Sequence, residues 1–299
     1  MDDLSGIELM ADFVQFAVSG LTIGAVYALV ALGFTLIYNA SSVVNFAQGE
    51  FVMLGGMATV FLAALGLPLP AAAVAAVIAA VAVGIVVHAL VIEPARGANA
   101  VTLIILTIGV SLVLRGAAPL IFDKQFHKLP GFSGEAAVGV LGAAVQPQAF
   151  WVVGGAAVIV LALKLFLART LFGKAVLATA ADRMAAMLAG INTGVIVGFA
   201  FATSAAIGAI AGILVTPITL TSYDVGVMLS LKGFAAAVLG GIGSPLGAVA
   251  GGLLLGLLEA LAAGYLSSTY KDAAAFVVLI AVLMAMPGGL ARVKQVERV

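Results

Sequence analysis

Long apolar runs broken by short polar stretches set the pattern of this chain. The runs cover about 13–38, 51–65, 71–92, 100–122, 150–168, 194–216, 224–240, 247–265 and 273–286. A helix crosses a bilayer with roughly 20 apolar residues. The pattern therefore predicts an all-α fold, a polytopic transmembrane helical bundle of about eight spans that occupies 1–299 as a single domain. The pair at 224–265 is joined by Gly240-Gly-Ile-Gly-Ser-Pro245, which must be a tight break. It is either a re-entrant pair or two full crossings.

Three polar interruptions carry most of the information. Residues 39–50, NASSVVNFAQGE, are polar without Lys or Arg, so they form either a short connection or irregular backbone lining a protected cavity. Residues 123–148 hold Lys124, His127, Lys128, Pro130 and Glu135 and predict a small extramembrane cap. Residues 173–192 read GKAVLATAADRMAAMLAGIN. Leu177, Ala181, Met184 and Leu188 fall on one helical stripe, with Thr179, Asp182 and Arg183 on another face. One short amphipathic helix is expected, starting after Gly173 and ending at Gly190, which suits the left-handed position past a helix end. It is too polar to span. It lies at a membrane surface, where it either links two spans or docks onto a partner.

At 64% hydrophobic and 9% charged, a water-soluble fold would have nowhere to put this much apolar surface. One Trp, 36 Gly and no long alternating segments favour helices over a barrel. Gly20/Gly24, Gly194/Gly198, Gly208/Gly212, Gly247/Gly251 and Gly252/Gly256 have the spacing that lets helices approach closely. The zero net charge gives no sign of nucleic acid, and the absence of Cys rules out disulfides and thiolate metal sites. The N-terminus lacks a basic signal-peptide region, so the first span is expected to be retained. With Arg96, Arg169, Lys174, Arg183, Arg292, Lys294 and Arg298 on the cytoplasmic side and Lys124, Lys128 and Lys271 outside, the positive-inside bias puts the N-terminus outside and the C-terminus in the cytoplasm.

No nucleotide-binding GxxxxGK[ST] loop and no HExxH occur, and His88 and His127 are far apart. No Ser stands near a base within a span. No catalytic or metal residue is therefore assigned. Charges inside apolar runs are costly and informative. Glu50, Arg115 and Glu259 are such groups; Arg115 pairs with Glu50 or Glu259, or each contacts backbone or snorkels. Lys164 snorkels to the inner boundary and Lys232 to the outer.

Three blocks carry a resemblance. Gly20-Leu-x-x-Gly-Ala-x-Tyr27-Ala-Leu followed by Asn45-Phe-Ala-Gln-Gly-Glu50-Phe-x-Met53 resembles the start of permease subunits of branched-chain amino acid ABC importers (LivH-like). Gly173-Lys-Ala through Ala180-x-Asp182, Ala186 and Gly190-Ile-Asn, and Gly240-Gly-Ile-Gly-Ser through Gly247-Ala and Gly251-Gly, look like that family's other signatures, in the family's order. The resemblance implies a multi-pass permease of the bacterial inner membrane, without its own ATPase site. Its partners would be a second homologous permease, two cytoplasmic ATPases that bind ATP and Mg, an external solute-binding protein and membrane lipid. The 173–192 segment becomes a coupling helix, with Gly173, Lys174, Thr179, Asp182, Arg183, Met187 and Gly190 facing the ATPase. Val176-Leu177 stands where such segments often carry a basic residue. Tyr27, Asn45, Gln48 and Glu50 become candidates for the translocation pathway. The implied cargo is a branched-chain amino acid, with urea, amides or aromatic acids as alternatives. A self-sufficient transporter or channel, or an intramembrane enzyme, is the rival from another class.

Overall fold

The computed structural model describes residues 2–140, 142–286 and 288–291. Among them are eleven α-helices: α1 Asp2–Ser41, α2 Gln48–Ala64, α3 Leu69–Val87, α4 Ala100–Ile121, α5 Pro147–Arg169, α6 Leu171–Ala181, α7 Arg183–Leu188, α8 Thr193–Thr219, α9 Val225–Gly240, α10 Pro245–Tyr265 and α11 Lys271–Ala285. A π-helical turn, His88–Ile92, continues α3. An antiparallel hairpin, β1 Val138–Val140 and β2 Ala143–Val145, pairs Val138 with Val145 in the cap. The expected all-α membrane bundle is the fold.

Among the described residues six stretches are long and apolar enough to cross a membrane: Met10–Ser41, Leu69–Ile92, Ala100–Ile121, Pro147–Arg169, Thr193–Thr219 and Pro245–Tyr265. This is fewer than the eight expected. Helices α2, α9 and α11, at 17, 16 and 15 residues, are shorter than a full span. The bundle has two ends. One carries α6 and α7, with Arg96, Arg169, Lys174 and Arg183; the other carries the 123–148 cap, with Lys124 and Lys128. The cap is tied down by paired backbone bonds between His127 and Thr221 at 2.9 Å each way. The C-terminal segment returns to the α6 end, where Leu290 N and Ala291 N donate to Leu239 O and Gly240 O. Pro287, Arg292, Lys294 and Arg298 lie outside the described residues.

Helix α1 is the central post, and α10 lies antiparallel along it. Asn39 Nδ2 donates to Gly243 O at 3.0 Å at one end, and Gly264 meets Phe16 at the other. Between them Gly252 packs on Ala28 and Gly256 on Gly24, so close that a Cβ would collide with backbone. From Phe16 to Asn39 α1 rises about 35 Å, so α10 crosses completely. A shallow re-entrant pair is excluded. Gly241 and Gly243, at φ 95° and 99°, make the turn, a backbone region that L side chains avoid. The other small-residue pairs also meet partners: Gly208 and Gly212 take Phe51 and Val52 of α2, and Gly251 takes Ala236 of α9. In a medium as apolar as Leu, such close packing holds helices together. Helix α4 differs. Only 11% of its apolar window is buried, against 89% for α1.

Candidate functional site

The chain breaks between α1 and α2, inside the bundle. Ser41 Oγ donates to Ile37 O at 2.7 Å and accepts from Val43 N at 3.2 Å, which offers the backbone an alternative to the helical ladder. Ser42 follows at φ 59°. Asn45 Oδ1 then accepts from Ala47 N at 3.1 Å and turns the chain into α2. The segment is irregular backbone held within protein, one of the two readings left open by its polarity. Away from water, each backbone group needs a partner, and neighbouring helices supply them. Phe46 N donates to Thr107 Oγ1 of α4 at 3.2 Å. Ser230 Oγ of α9 donates to Phe46 O at 3.1 Å and accepts from Gly49 N at 2.8 Å.

Asn45, Gln48 and Glu50 are all at 0% exposure and stand together here. Gln48 and Ser204 of α8 are fully matched: Gln48 Nε2 donates to Ser204 O at 3.2 Å, and Ser204 Oγ donates to Gln48 Oε1 at 2.6 Å. Glu50 is only half matched. Ser111 Oγ of α4 donates to Glu50 Oε1 at 2.7 Å, while Glu50 Oε2 and Asn45 Nδ2 have no partner. A Cβ at Gly226 would sit 2.7 Å from that free oxygen, so the glycine keeps α9 close to it. Arg115 makes no ion pair with Glu50 within 4.0 Å. Thr107, Ser111 and Arg115 fall at i, i+4 and i+8 on one stripe of α4. That spacing was a readable signal for the helix's polar face.

Tyr27 stands apart from Asn45, Gln48 and Glu50, in a second polar cluster. Tyr27 Oη donates to Glu259 Oε2 at 2.8 Å, and Lys232 Nζ donates to Glu259 Oε1 and to Asp272 Oδ1, each at 2.7 Å. Lys271 Nζ lies 3.6 Å from Glu259 Oε1. Glu259 is therefore paired with Lys232 and not with Arg115. Lys232, at 6% exposure, does not snorkel, because two carboxylates hold its ammonium inside. This network joins α1, α9, α10 and α11.

At the α6 end the expected single helix is two. Thr170 Oγ1 accepts from Gly173 N at 2.9 Å and caps α6, which therefore starts at Leu171. Asp182 Oδ1 accepts from Met184 N and Ala185 N at 2.9 and 3.0 Å and caps α7, so the chain kinks at Asp182 instead of continuing. Gly190, at φ 85°, ends α7 as expected. Gly173 packs on Leu167, and Thr179, at 4% exposure, donates to Ala175 O. These two face the bundle. The expected apolar stripe is outward: Leu177, Met184 and Leu188 are 47%, 64% and 84% exposed, with Met187 at 45%, while Lys174 and Arg183 are also exposed. A cleft of about 750 Å³ separates α6 from the α9–α10 turn, lined by Asn39, Ser42, Leu177, Ala181, Gly241 and Gly243. It runs from the start of the α1–α2 break to the α6 surface.

In the cap, His127 Nε2 lies 2.9 Å from Asp123 Oδ1 and holds that carboxyl below its usual range. Lys128 does the same for Glu135 across 2.8 Å.

Comparison with known proteins gives one consistent answer. The family described as branched-chain amino acid transport system / permease component matches residues 16–284. The high-affinity branched-chain amino acid transport system permease protein LivH of Escherichia coli K12 is 36% identical over 96% of this chain and 98% of its own length. The corresponding protein BraD of Pseudomonas aeruginosa matches to the same extent. A probable permease of this kind from Methanocaldococcus jannaschii is 28% identical over 88% of this chain and 87% of its own. A solved structure, PsaBC from Streptococcus pneumoniae in complex with Fab, covers 94% of this chain at 16% identity and a TM-score of 0.49, too distant to bear on function.

Proposed function

This chain belongs to the family of branched-chain amino acid transport system permease components, and from that premise we propose that it is a pore subunit of an ATP-driven importer carrying branched-chain amino acids inward. The observation that carries this reading is the near-complete correspondence to LivH, 36% identity across 98% of that protein's length. Urea, amide or aromatic-acid cargo has no comparable support.

The subunit itself performs no chemistry. ATP and Mg belong to two cytoplasmic ATPase partners, and a second permease and an external solute-binding protein complete the assembly. The protein is multi-pass; in a bacterium it sits in the inner membrane, with its N-terminus outside and its C-terminus in the cytoplasm. The capped pair α6–α7 is the element the ATPase engages, through Lys174, Arg183, Met187 and the exposed Leu177, Met184 and Leu188. Gly173, Thr179, Asp182 and Gly190 shape it from behind. Movement of that pair alters the cleft beside it and the α1–α2 break at its head, and so switches access to the polar centre at Gln48 and Glu50.

The test is reconstitution. The full complex in proteoliposomes should accumulate leucine only with ATP and binding protein. Ion-gradient-driven uptake by this chain alone would instead make it a self-sufficient transporter.

A further inference from the structure

The α1–α2 break holds a charge arrangement that its structural role does not require. Glu50 is completely buried, one of its oxygens is used by Ser111, and the other has no partner. A buried, unmatched carboxylate oxygen is expensive. The α9 backbone at Gly226 stands close beside it, with no room for a Cβ, and the oxygen is left without a hydrogen bond. Arg115 lies one helical turn beyond Ser111 on the same stripe of α4. It has no hydrogen bond or ion pair among the described residues, while Ser111, one turn before it, is the residue that reaches Glu50. An arginine within a span on a helix with so little protein around it is costly unless it meets water or an anion. Asp224, at the start of α9, has Oδ1 occupied by Ser222 Oγ at 2.6 Å. An arginine and the carboxyl bound by the residue one turn before it are thus left without an ion pair between them.

We propose that Glu50 and Arg115 are the two poles of a cargo subsite for a zwitterionic α-amino acid, the ammonium going to Glu50 Oε2 and the carboxylate to the Arg115 guanidinium. This rests on the reading of the chain as an amino-acid permease and narrows it. A zwitterion bridges the gap between the poles and satisfies both. Urea and simple amides have no full charges to offer, so the subsite selects against them. The amide donor of Asn45, also unmatched, lies at the same break. Gln48 does not take part, since Ser204 uses both ends of its amide. The side chain of the amino acid is left to the apolar surroundings.

The experiment uses the complete importer complex in proteoliposomes, with radiolabelled leucine and saturating binding protein. Glu50→Gln and Arg115→Gln should each lower uptake at least tenfold while the permease still co-purifies with its ATPase partners, and Arg115→Lys should retain more uptake than Arg115→Gln. Uptake within twofold of the unmodified complex in both Gln variants overturns the subsite. Should Glu50→Gln fail to assemble, Arg115→Gln, on the sparsely packed α4, decides alone by the same criterion. An unmodified complex that accumulates acetamide but not leucine overturns the cargo reading beneath the proposal, and that result is seen before any substitution is made.

Discussion

Two buried polar regions lie within this bundle, and they are built on opposite rules. The network of Tyr27, Lys232, Glu259 and Asp272 is closed: Lys232 faces two carboxylates, and both oxygens of Glu259 are occupied. The α1–α2 break is open: Glu50 Oε2 and Asn45 Nδ2 are left without partners at full burial. A closed ionic set in a low dielectric resists separation, because removing one partner strands the others. Such a set acts as a staple and keeps α9, α10 and α11 on the α1 post. An open set gains nothing for the resting fold and is intelligible as a place where something else binds. Both regions carry intramembrane charge, which by itself marks a functional candidate. Only the state of the partners separates the two.

The comparison can be broken by experiment. Lys232→Ala should have the largest effect, about 3–5 kcal/mol of lost stability, as for breaking a buried pair, read by denaturant unfolding in detergent. Lys232→Met with Glu259→Leu should be much closer to the unmodified protein; if the double variant is as unstable as the single, the network is not a closed pair. Next, Tyr27→Phe removes one hydrogen bond to a charged group, about 1.5–3 kcal/mol, and should leave leucine uptake in the complex within twofold.

Gln48→Leu removes the matched pair with Ser204 at a cost of about 1–3 kcal/mol, yet it should reduce uptake severalfold if, as proposed, the break moves during transport. Equal uptake in the Tyr27 and Gln48 variants would erase the functional distinction between the regions. The smallest effect on stability is expected from Asp182→Ala, about 1 kcal/mol for a lost cap. Its effect should be confined to α7, seen as faster amide exchange there, together with weaker co-purification of the ATPase.

Much of this was legible along the chain. The apolar runs gave the helices, and the Gly pairs marked the close contacts of α1 with α10 and of α2 with α8. Gly190 marked the end of the surface segment. The split of that segment was legible too: Asp182 followed by Arg183-Met-Ala is an N-cap pattern, overshadowed by a periodicity that ran on through it. The partners of the buried charges were not legible. Glu259 pairs with Tyr27 across 232 positions, and Arg115 looked equally suited to Glu50 or Glu259. Nor did the stripe Leu177, Met184 and Leu188 reveal which way it faced, since an apolar stripe can meet the bundle or a partner. In the structure Gly173 and Val176 turn inward and leave the stripe outside.

Period and composition are local properties, so the sequence alone determined a membrane bundle, its helix positions, its tight turns and the existence of intramembrane charge. Pairing is a property of helix rotation and depth, and these are set by how closely small residues let each helix approach. Only the tertiary structure decided that α10 traverses the bundle beside α1, that Lys232 closes one charged set, and that Gly226 holds α9 against Glu50 without satisfying it.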